Sequence, residues 1–304
     1  MLDLIVVGHL TVDTIMLPQN NKPQKMIGGA VVYTSLAAKS LDSKVAIISK
    51  VGKDLPDKYI HWLKQQSIDL SNLKLVNKAK TTQFILKYTN SEKRQLWLKT
   101  KAPQITLKDI PNTLKAKAIH IGTVTNELSL SIIKKLRNYT ELISLDPQGF
   151  LRRPDKTGKI TLQPINNIKN LLENIDIYKS SFEEARILTK NQTIEKIMKR
   201  INSYGVKTVI VTKGSKGATL LHEEKIYQIP TYPAKTVNPT GAGDSFIGAF
   251  LAAYTRKKVP SWCACVGVAA ASIKIEKVRP TDFSQDEIYK RASEIHKKLK
   301  SRSL

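Results

Sequence analysis

A chain of 304 residues with 41% hydrophobic and 25% charged side chains can bury a substantial core, which excludes a disordered tail. Its 50 lysines and arginines against 25 acidic residues leave a formal charge of +25, a field that draws polyanions. The basic residues are nevertheless scattered, without an arginine-rich block, and aromatics reach only 6%, so the composition points away from a nucleic-acid binder and toward a solvated lysine-rich surface.

In chain order, the opening MLDLIVVGHLTVD has no basic region before its apolar run, and Asp3 interrupts it. It reads as a first buried strand, Leu4–Val7 closed by Gly8, and not as a secretory leader; no later stretch approaches the roughly 20 apolar residues that span a bilayer. Val31–Leu41 reads as a helix opened by Gly28-Gly29, Val45–Ser49 as a second buried strand followed by a turn at Val51–Asp54, and Tyr59–Gln66 as a helix. The rhythm then changes. Thr81–Tyr88 and Arg94–Leu98 carry β-formers around a turn at Thr89–Lys93, which predicts a hairpin.

Alternation of strand and helix resumes with strands at Ala118–Ile121, Leu142–Leu145 and Ile175–Tyr178, and a helix over Leu128–Arg137. Phe182–Leu188 begins another helix with Ser180 or Ser181 as N-cap. Thr208–Thr212 is a strand, Ala218–Leu221 and Glu224–Gln228 a second hairpin, and long helices run from Gly243 to about Tyr254 and over Ser261–Ile275. Cys263 and Cys265 lie in that last apolar stretch with no second pair, so they read as buried thiols of a reducing, cytoplasmic compartment and not as zinc ligands. Short apolar strands separated by helices imply an α/β fold with a mostly parallel sheet covered on both faces. One domain is expected over 1–304, with a small β-lid formed by about 14–26 and 81–98.

The most informative segment is Val237–Gly248, VNPTGAGDSFIG, at the start of a strongly helical run. Gly241 and Gly243 permit backbone angles closed to other residues, and Ala242 adds little bulk. The amides of this turn can converge on one point at a helix N-terminus, where an anion is welcome. A carboxylate placed there, Asp244, can accept a proton from an attacking hydroxyl while the amides stabilise a transferring phosphoryl group. The turn is not a dinucleotide fingerprint, since its third glycine comes two residues late. It is not a Walker loop either, since no Gly-Lys-Ser/Thr follows. An ordinary glycine-rich helix start remains the alternative at this point.

Asn238-Pro239-Thr240-Gly241-Ala242-Gly243-Asp244 resembles the Asp-Thr-x-Gly-Ala-Gly-Asp signature of PfkB-type (ribokinase-like) carbohydrate kinases, and further matches follow the family's order from Ile5 to about Ile275. The resemblance implies a three-layer α/β/α sandwich with a β-lid. It implies Asp244 as catalytic base with Gly241, Ala242 and Gly243 as anion hole. For the acceptor it points to Asp13, to the Gly28-Gly29 pair and to Gln148 of the stretch DPQGFLR, whose Arg152 would neutralise phosphate charge or form a surface salt bridge. For ATP it points to Lys179, Ser181 and the loop Thr212, Lys213, Gly214, Gly217. Glu184 of SSFEEA would help organise Mg²⁺ through water, with no direct protein ligand to the metal. The VGKD turn at Val51–Asp54 is also similar to the family's.

Three departures narrow the expectation. The signature's first Asp is Asn238, the asparagine of the family's Asn-x-x-Glu motif is Ser181, and the Asn four residues after the double glycine is Tyr33. An aromatic at Tyr33, the serine, and Asp146-Pro147-Gln148-Gly149-Phe150-Leu151-Arg152 together resemble the myo-inositol kinase subgroup. That implies an ATP-dependent kinase of myo-inositol or a similar cyclic polyol, with Tyr33 shaping the acceptor pocket. A nucleoside or other sugar kinase of the same family is the second reading, and a ligand-binding regulator on a kinase scaffold the third. Lid hairpins in such kinases can pair between subunits, so a homodimer and a monomer are both compatible with the sequence.

Overall fold

The computed structural model describes residues 1–18, 22–89, 94–281 and 283–303. Parts of the expected 14–26 segment and of the turn at Thr89–Lys93, namely residues 19–21 and 90–93, lie outside the described residues.

The first half runs β1 (Leu2–Val7), β2 (Thr11–Met16), β3 (Gln24–Gly28), α1 (Ala30–Lys39), β4 (Val45–Gly52), α2 (Asp57–Gln65) and β5 (Asp69–Val76). The hairpin β6 (Thr82–Tyr88) and β7 (Arg94–Thr100) follows, then β8 (Ala116–Gly122), α3 (Leu130–Leu136) and β9 (Ile143–Asp146). The middle comprises α4 (Gln148–Leu151), β10 (Arg152–Pro154), β11 (Ile160–Leu162), α5 (Ile168–Leu172), β12 (Ile177–Ser181), α6 (Phe182–Thr189) and α7 (Ile194–Asn202). The chain continues through β13 (Thr208–Thr212), β14 (Ala218–His222), β15 (Lys225–Ile229), α8 (Ala242–Tyr254) and α9 (Pro260–Ile275), then α10 (Gln285–His296) and β16 (Lys300–Ser303).

Ten strands form the main sheet in the order β16-β15-β14-β13-β12-β9-β8-β1-β4-β5. From β13 to β5 all neighbours pair parallel; β13 through β16 pair antiparallel. The strands at its centre are continuous apolar runs because both faces are covered. One core lies under α1, α8, α9 and α10, and the other under α3, α5, α6 and α7. Both cysteines are buried in α9, and burial pushes each thiol up to about 12.

Helix α8 is buried all round, from Ser245 to Ala253, as a helix between two others must be. Its approach to α1 is close: a side chain at Gly248 would meet the Thr34 carbonyl oxygen at 2.2 Å. The first turns of α1 and α8 are thereby locked together, with Thr34 Oγ1 donating to the Asp244 carbonyl at 3.1 Å.

A second sheet, β3-β2-β6-β7, leaves the main sheet at the C-terminal end of β1. Its buried residues Ile15, Met26, Phe84, Leu86 and Tyr88 make a separate apolar cluster with Val124. The hairpin appears where β-former alternation places it, and the first two strands extend from Thr11 to Gly28, slightly beyond the expected segment. The helix expected from Leu128 begins instead at Leu130. Glu127, fully buried, spends its carboxylate on the amides of His9, Val124 and Thr125 at 2.8–2.9 Å, tying together the turns that follow β1 and β8.

In an open α/β sheet, ligands bind beyond the C-terminal ends of the parallel strands. Here that edge is formed by Gly8, Gly122, Asp146, Ser181 and Thr212. The Gly241 turn and the second sheet meet there, where the Tyr88 hydroxyl and Thr240 Oγ1 are hydrogen-bonded at 2.8 Å.

Candidate active site

Of the two glycines expected to take special backbone angles before α8, Gly241 does and Gly243 does not: it has an ordinary helical backbone. Gly241 is the N-cap with φ of 81°, a left-handed angle that any side chain would strain. A Cβ there would also strike the Tyr33 ring at 2.4 Å, so the aromatic of α1 is the floor on which the turn rests. The Ala242 amide donates to the Pro239 carbonyl at 3.2 Å, which takes it out of the expected anion hole. The following two amides, of Gly243 and Asp244, are first-turn donors left without intrahelical acceptors.

Cationic side chains converge on the same point. Lys179, at the end of β12, is buried, and its ammonium occupies the space a side chain would need at Gly243. It is paired with Asp146, at the end of β9, at 2.6 Å. Burial opposes the lysine charge, but Asp146, Asp244 and Glu184 outweigh it and raise the ammonium above its ordinary value. Arg152 is buried too, which removes the surface salt bridge as its role: its guanidinium donates to the Val124 carbonyl and to Gln148 Oε1. With its oxygen held by Arg152, Gln148 turns its amide nitrogen to Asp244 Oδ1 at 3.2 Å. Burial raises the Asp244 carboxyl above the ordinary range; Lys179 pulls it down, Asp146 pushes it up, and Arg152 and Arg94 pull it down. A raised carboxyl ringed by cations is suited to holding a proton in transit.

On the other side of Asp244 lies a group of polar atoms without partners. Asp13 on β2 is 5% exposed, its carboxylate lies against Gly28, and its Oδ1 accepts no hydrogen bond among the described residues. Thr11 Oγ1 sits beside it without hydrogen-bond geometry, and the Tyr33 hydroxyl is likewise buried and unpartnered. Burial pushes the Asp13 carboxyl up to about 6, against the pull of the neighbouring Thr11 hydroxyl, of Arg152 and Arg94, and of the Phe84 amide. Burial raises the Tyr33 hydroxyl well above its ordinary value, with Asp13, Tyr88 and Asp244 adding to it.

The folded state thus holds the Asp13 proton up to about pH 6, whereas an unfolded aspartate releases it near 3.8. Stability falls as pH rises through that interval, and the deficit persists above it. Asp13→Asn is expected to melt at a higher temperature than the wild type at pH 7 while its acceptor KM rises about tenfold or more. Calorimetry and steady-state kinetics on the variant check both. A lower melting temperature would contradict the burial account, and an unchanged KM the binding role.

At the end of β12, Ser181 caps α6 in a reciprocal box. Its amide and hydroxyl both donate to Glu184 Oε2, and its oxygen accepts from the Glu184 amide. Thr212 lies opposite Ser181 in the sheet, and its hydroxyl donates to the Ser180 carbonyl. Gly214 and Gly217 bound a tight turn, both at positive φ, and Lys213 donates to Gln228. None of Lys213, Gly214 and Gly217 has a described contact with the Asp244 cluster; they stand one strand to its side. Gly29 is the N-cap of α1.

Arg94, Thr11 and Tyr88 join the site without having been singled out in the sequence, and Asp146, noted there only as part of its stretch, joins it as the partner of Lys179. The hairpin register pairs Arg94 with Tyr88, whose side chain faces inward, and that pairing is the signal that places Arg94 on the same side. No cluster of three or more His, Cys, Asp or Glu that could hold a metal occurs among the described residues, nor any helix long and apolar enough to cross a membrane.

Comparison with known proteins accords with this geometry. The pattern of the pfkB family of carbohydrate kinases matches residues 1–287. A cytidine kinase of Thermococcus kodakarensis is 26% identical over 91% of this chain and 97% of its own length. A nucleoside kinase of Methanocaldococcus jannaschii is 30% identical over 89% of each chain. Among solved structures, a pyrophosphate-dependent kinase of the ribokinase family, in complex with a pyrophosphate analogue and myo-inositol, superposes with a TM-score of 0.82 at 21% identity. That match covers 94% of this chain and 99% of the other, and the likeness is one of fold.

Proposed function

The chain belongs to the pfkB family of carbohydrate kinases, which transfer phosphate to a hydroxyl of a sugar or nucleoside, and we propose that its own acceptor is a cyclic polyol similar to myo-inositol, with ATP as donor. The observation that carries the acceptor reading is the set of buried, unpartnered oxygens of Thr11, Asp13 and Tyr33 beside Asp244. Buried polar atoms are rarely left unpaired, so a ligand rich in hydroxyls is the natural complement. The inward-facing Phe84 has the Arg152 guanidinium over its ring at 5.8 Å, which leaves less apolar surface for a nucleobase. Tyr33, Ser181 and the Asp146–Arg152 stretch, similar to the inositol kinase subgroup, support the same choice.

In this mechanism the acceptor rests on Asp13 and the Gly28-Gly29 backbone under the β2-β3-β6-β7 lid, with Tyr33 and Gln148 beside it. Asp244 takes the proton of the attacking hydroxyl, held in register by the Gln148 amide and the Thr34 hydroxyl. The amides of Gly243 and Asp244, with Lys179 and Arg152, receive the charge that develops on the transferring group. The Tyr88–Thr240 hydrogen bond joins the lid to the glycine turn and keeps water from the reacting atoms. Glu184, fixed by Ser181 and close to the cationic cluster, fits a hard cation held mainly by phosphates and water; Mg²⁺ bound there would neutralise phosphate charge.

A second reading is favoured by the 30% identity to a nucleoside kinase: the same floor would hold a ribose. A phosphorylation screen with myo-inositol, other cyclitols, aldoses, ketoses, cytidine and other nucleosides, using ATP and separately pyrophosphate, decides between them. We expect kcat/KM highest for myo-inositol or another cyclitol with ATP. Higher values for cytidine or another nucleoside would replace the polyol reading.

A further inference from the structure

Lys274, in the last turn of α9, is fully buried, and among the described residues no carboxylate pairs with it. Burial lowers its ammonium to about 8, which leaves it mostly charged at neutral pH. A charge in such a place is costly unless something holds it. What holds it is backbone: Nζ donates to the Asn238 and Lys277 carbonyls, each at 3.2 Å. The C-terminal end of α9 adds the favourable end of its dipole, and the Tyr33 ring lies 5.4 Å from Nζ.

Of these groups, Asn238 belongs to the segment that leads into the glycine turn, and the Lys277 carbonyl to the loop just after α9. The amides of Val237 and Asn238 donate to the Ile275 carbonyl, and the Asn238 side chain bridges the Val278 carbonyl and the Thr240 amide. The ring that Nζ faces, Tyr33, is the floor beneath Gly241. The ammonium therefore joins the two supports of the turn. Position 238 is also where this chain carries Asn in place of the signature's Asp. The Asn238 side chain is neutral, so it adds no counter-charge to this segment.

We propose that Lys274 is a tethered monovalent cation, a positioning residue that fixes the glycine turn through Asn238 and Tyr33 and adds positive potential to it. Its ammonium occupies the space between the Asn238 and Lys277 carbonyls, which a dissolved cation can enter once the side chain is cut back. This inference rests on the glycine turn being the phosphate cradle of the proposed kinase site.

The test compares Lys274→Met, which fills the space without charge, with Lys274→Ala, which opens it. The wild type should turn over equally with K⁺, Na⁺ or tetramethylammonium as the sole monovalent cation. Lys274→Met should lose about 10- to 100-fold in kcat in every salt, with the acceptor KM little changed. Lys274→Ala should lose as much in tetramethylammonium and regain about tenfold or more with K⁺ or ammonium. ATP affinity, read by calorimetry without acceptor, should weaken about tenfold in Lys274→Met; this reading holds whichever hydroxyl compound is the substrate, so it separates this inference from the acceptor assignment. A folded Lys274→Met with wild-type kcat and ATP affinity overturns the proposal, as does a folded Lys274→Ala whose loss no cation relieves. Because the alanine variant opens a void that can cost the fold, the methionine variant, checked by thermal melting, carries the decisive comparison.

Discussion

Asp244→Asn is expected to lower turnover by about two orders of magnitude or more while ATP binds nearly as before. The amide keeps the shape of the carboxylate and can still accept from the Gln148 nitrogen, so the local geometry at 3.2 Å survives. What it loses is the ability to take a proton from the attacking hydroxyl. The variant is expected to stay folded, since burial raises the native carboxyl and its replacement by a neutral group removes that burden. Steady-state kinetics, ATP calorimetry and a thermal melt on the same preparation separate the three quantities. A variant that turns over within a few-fold of wild type removes Asp244 from the chemistry.

The second large effect is expected at Lys179. Its pair with Asp146 is buried, with side chains 5% and 2% exposed, so Lys179→Met leaves a carboxylate in the interior without its ion-pair partner. Breaking such a pair costs about 3–5 kcal/mol of stability. It also removes the ammonium that stands against Gly243, and kcat/KM for ATP is expected to fall about 100-fold. Asp146→Asn on the Lys179→Met background removes the orphaned charge and should restore most of the stability without restoring activity. Denaturant titration and kinetics across the four proteins of this cycle make the distinction. Activity that returns with stability would assign Lys179 a purely structural role.

The layered α/β architecture was legible because its central strands are uninterrupted apolar runs and its helices begin at recognisable caps, Ser181 among them. Strand β5 was not: it is an edge strand whose residues DLSNLKLV are all exposed or half-buried, which leaves no period of two to read. The Gly241 turn and Asp244 were legible because glycine spacing at a helix start carries its own chemistry. Contacts that depend on distant chain segments were hidden. Tyr33 meets Gly241 only because α1 and α8 pack at Gly248, and Tyr88 meets Thr240 only through the placement of the second sheet. Lys274 was obscured for another reason, which also left Arg152 open between a phosphate contact and a surface salt bridge. In a chain with 50 lysines and arginines, nothing local marks the few that are buried.

The most direct test of the account is ³¹P nuclear magnetic resonance of the purified protein with ATP, Mg²⁺ and the preferred acceptor from the screen. A phosphate monoester should appear in step with ADP in the wild type and be nearly absent over the same interval with Asp244→Asn. ADP accumulating with inorganic phosphate and no ester, or ester forming at the same rate in the variant, would contradict it.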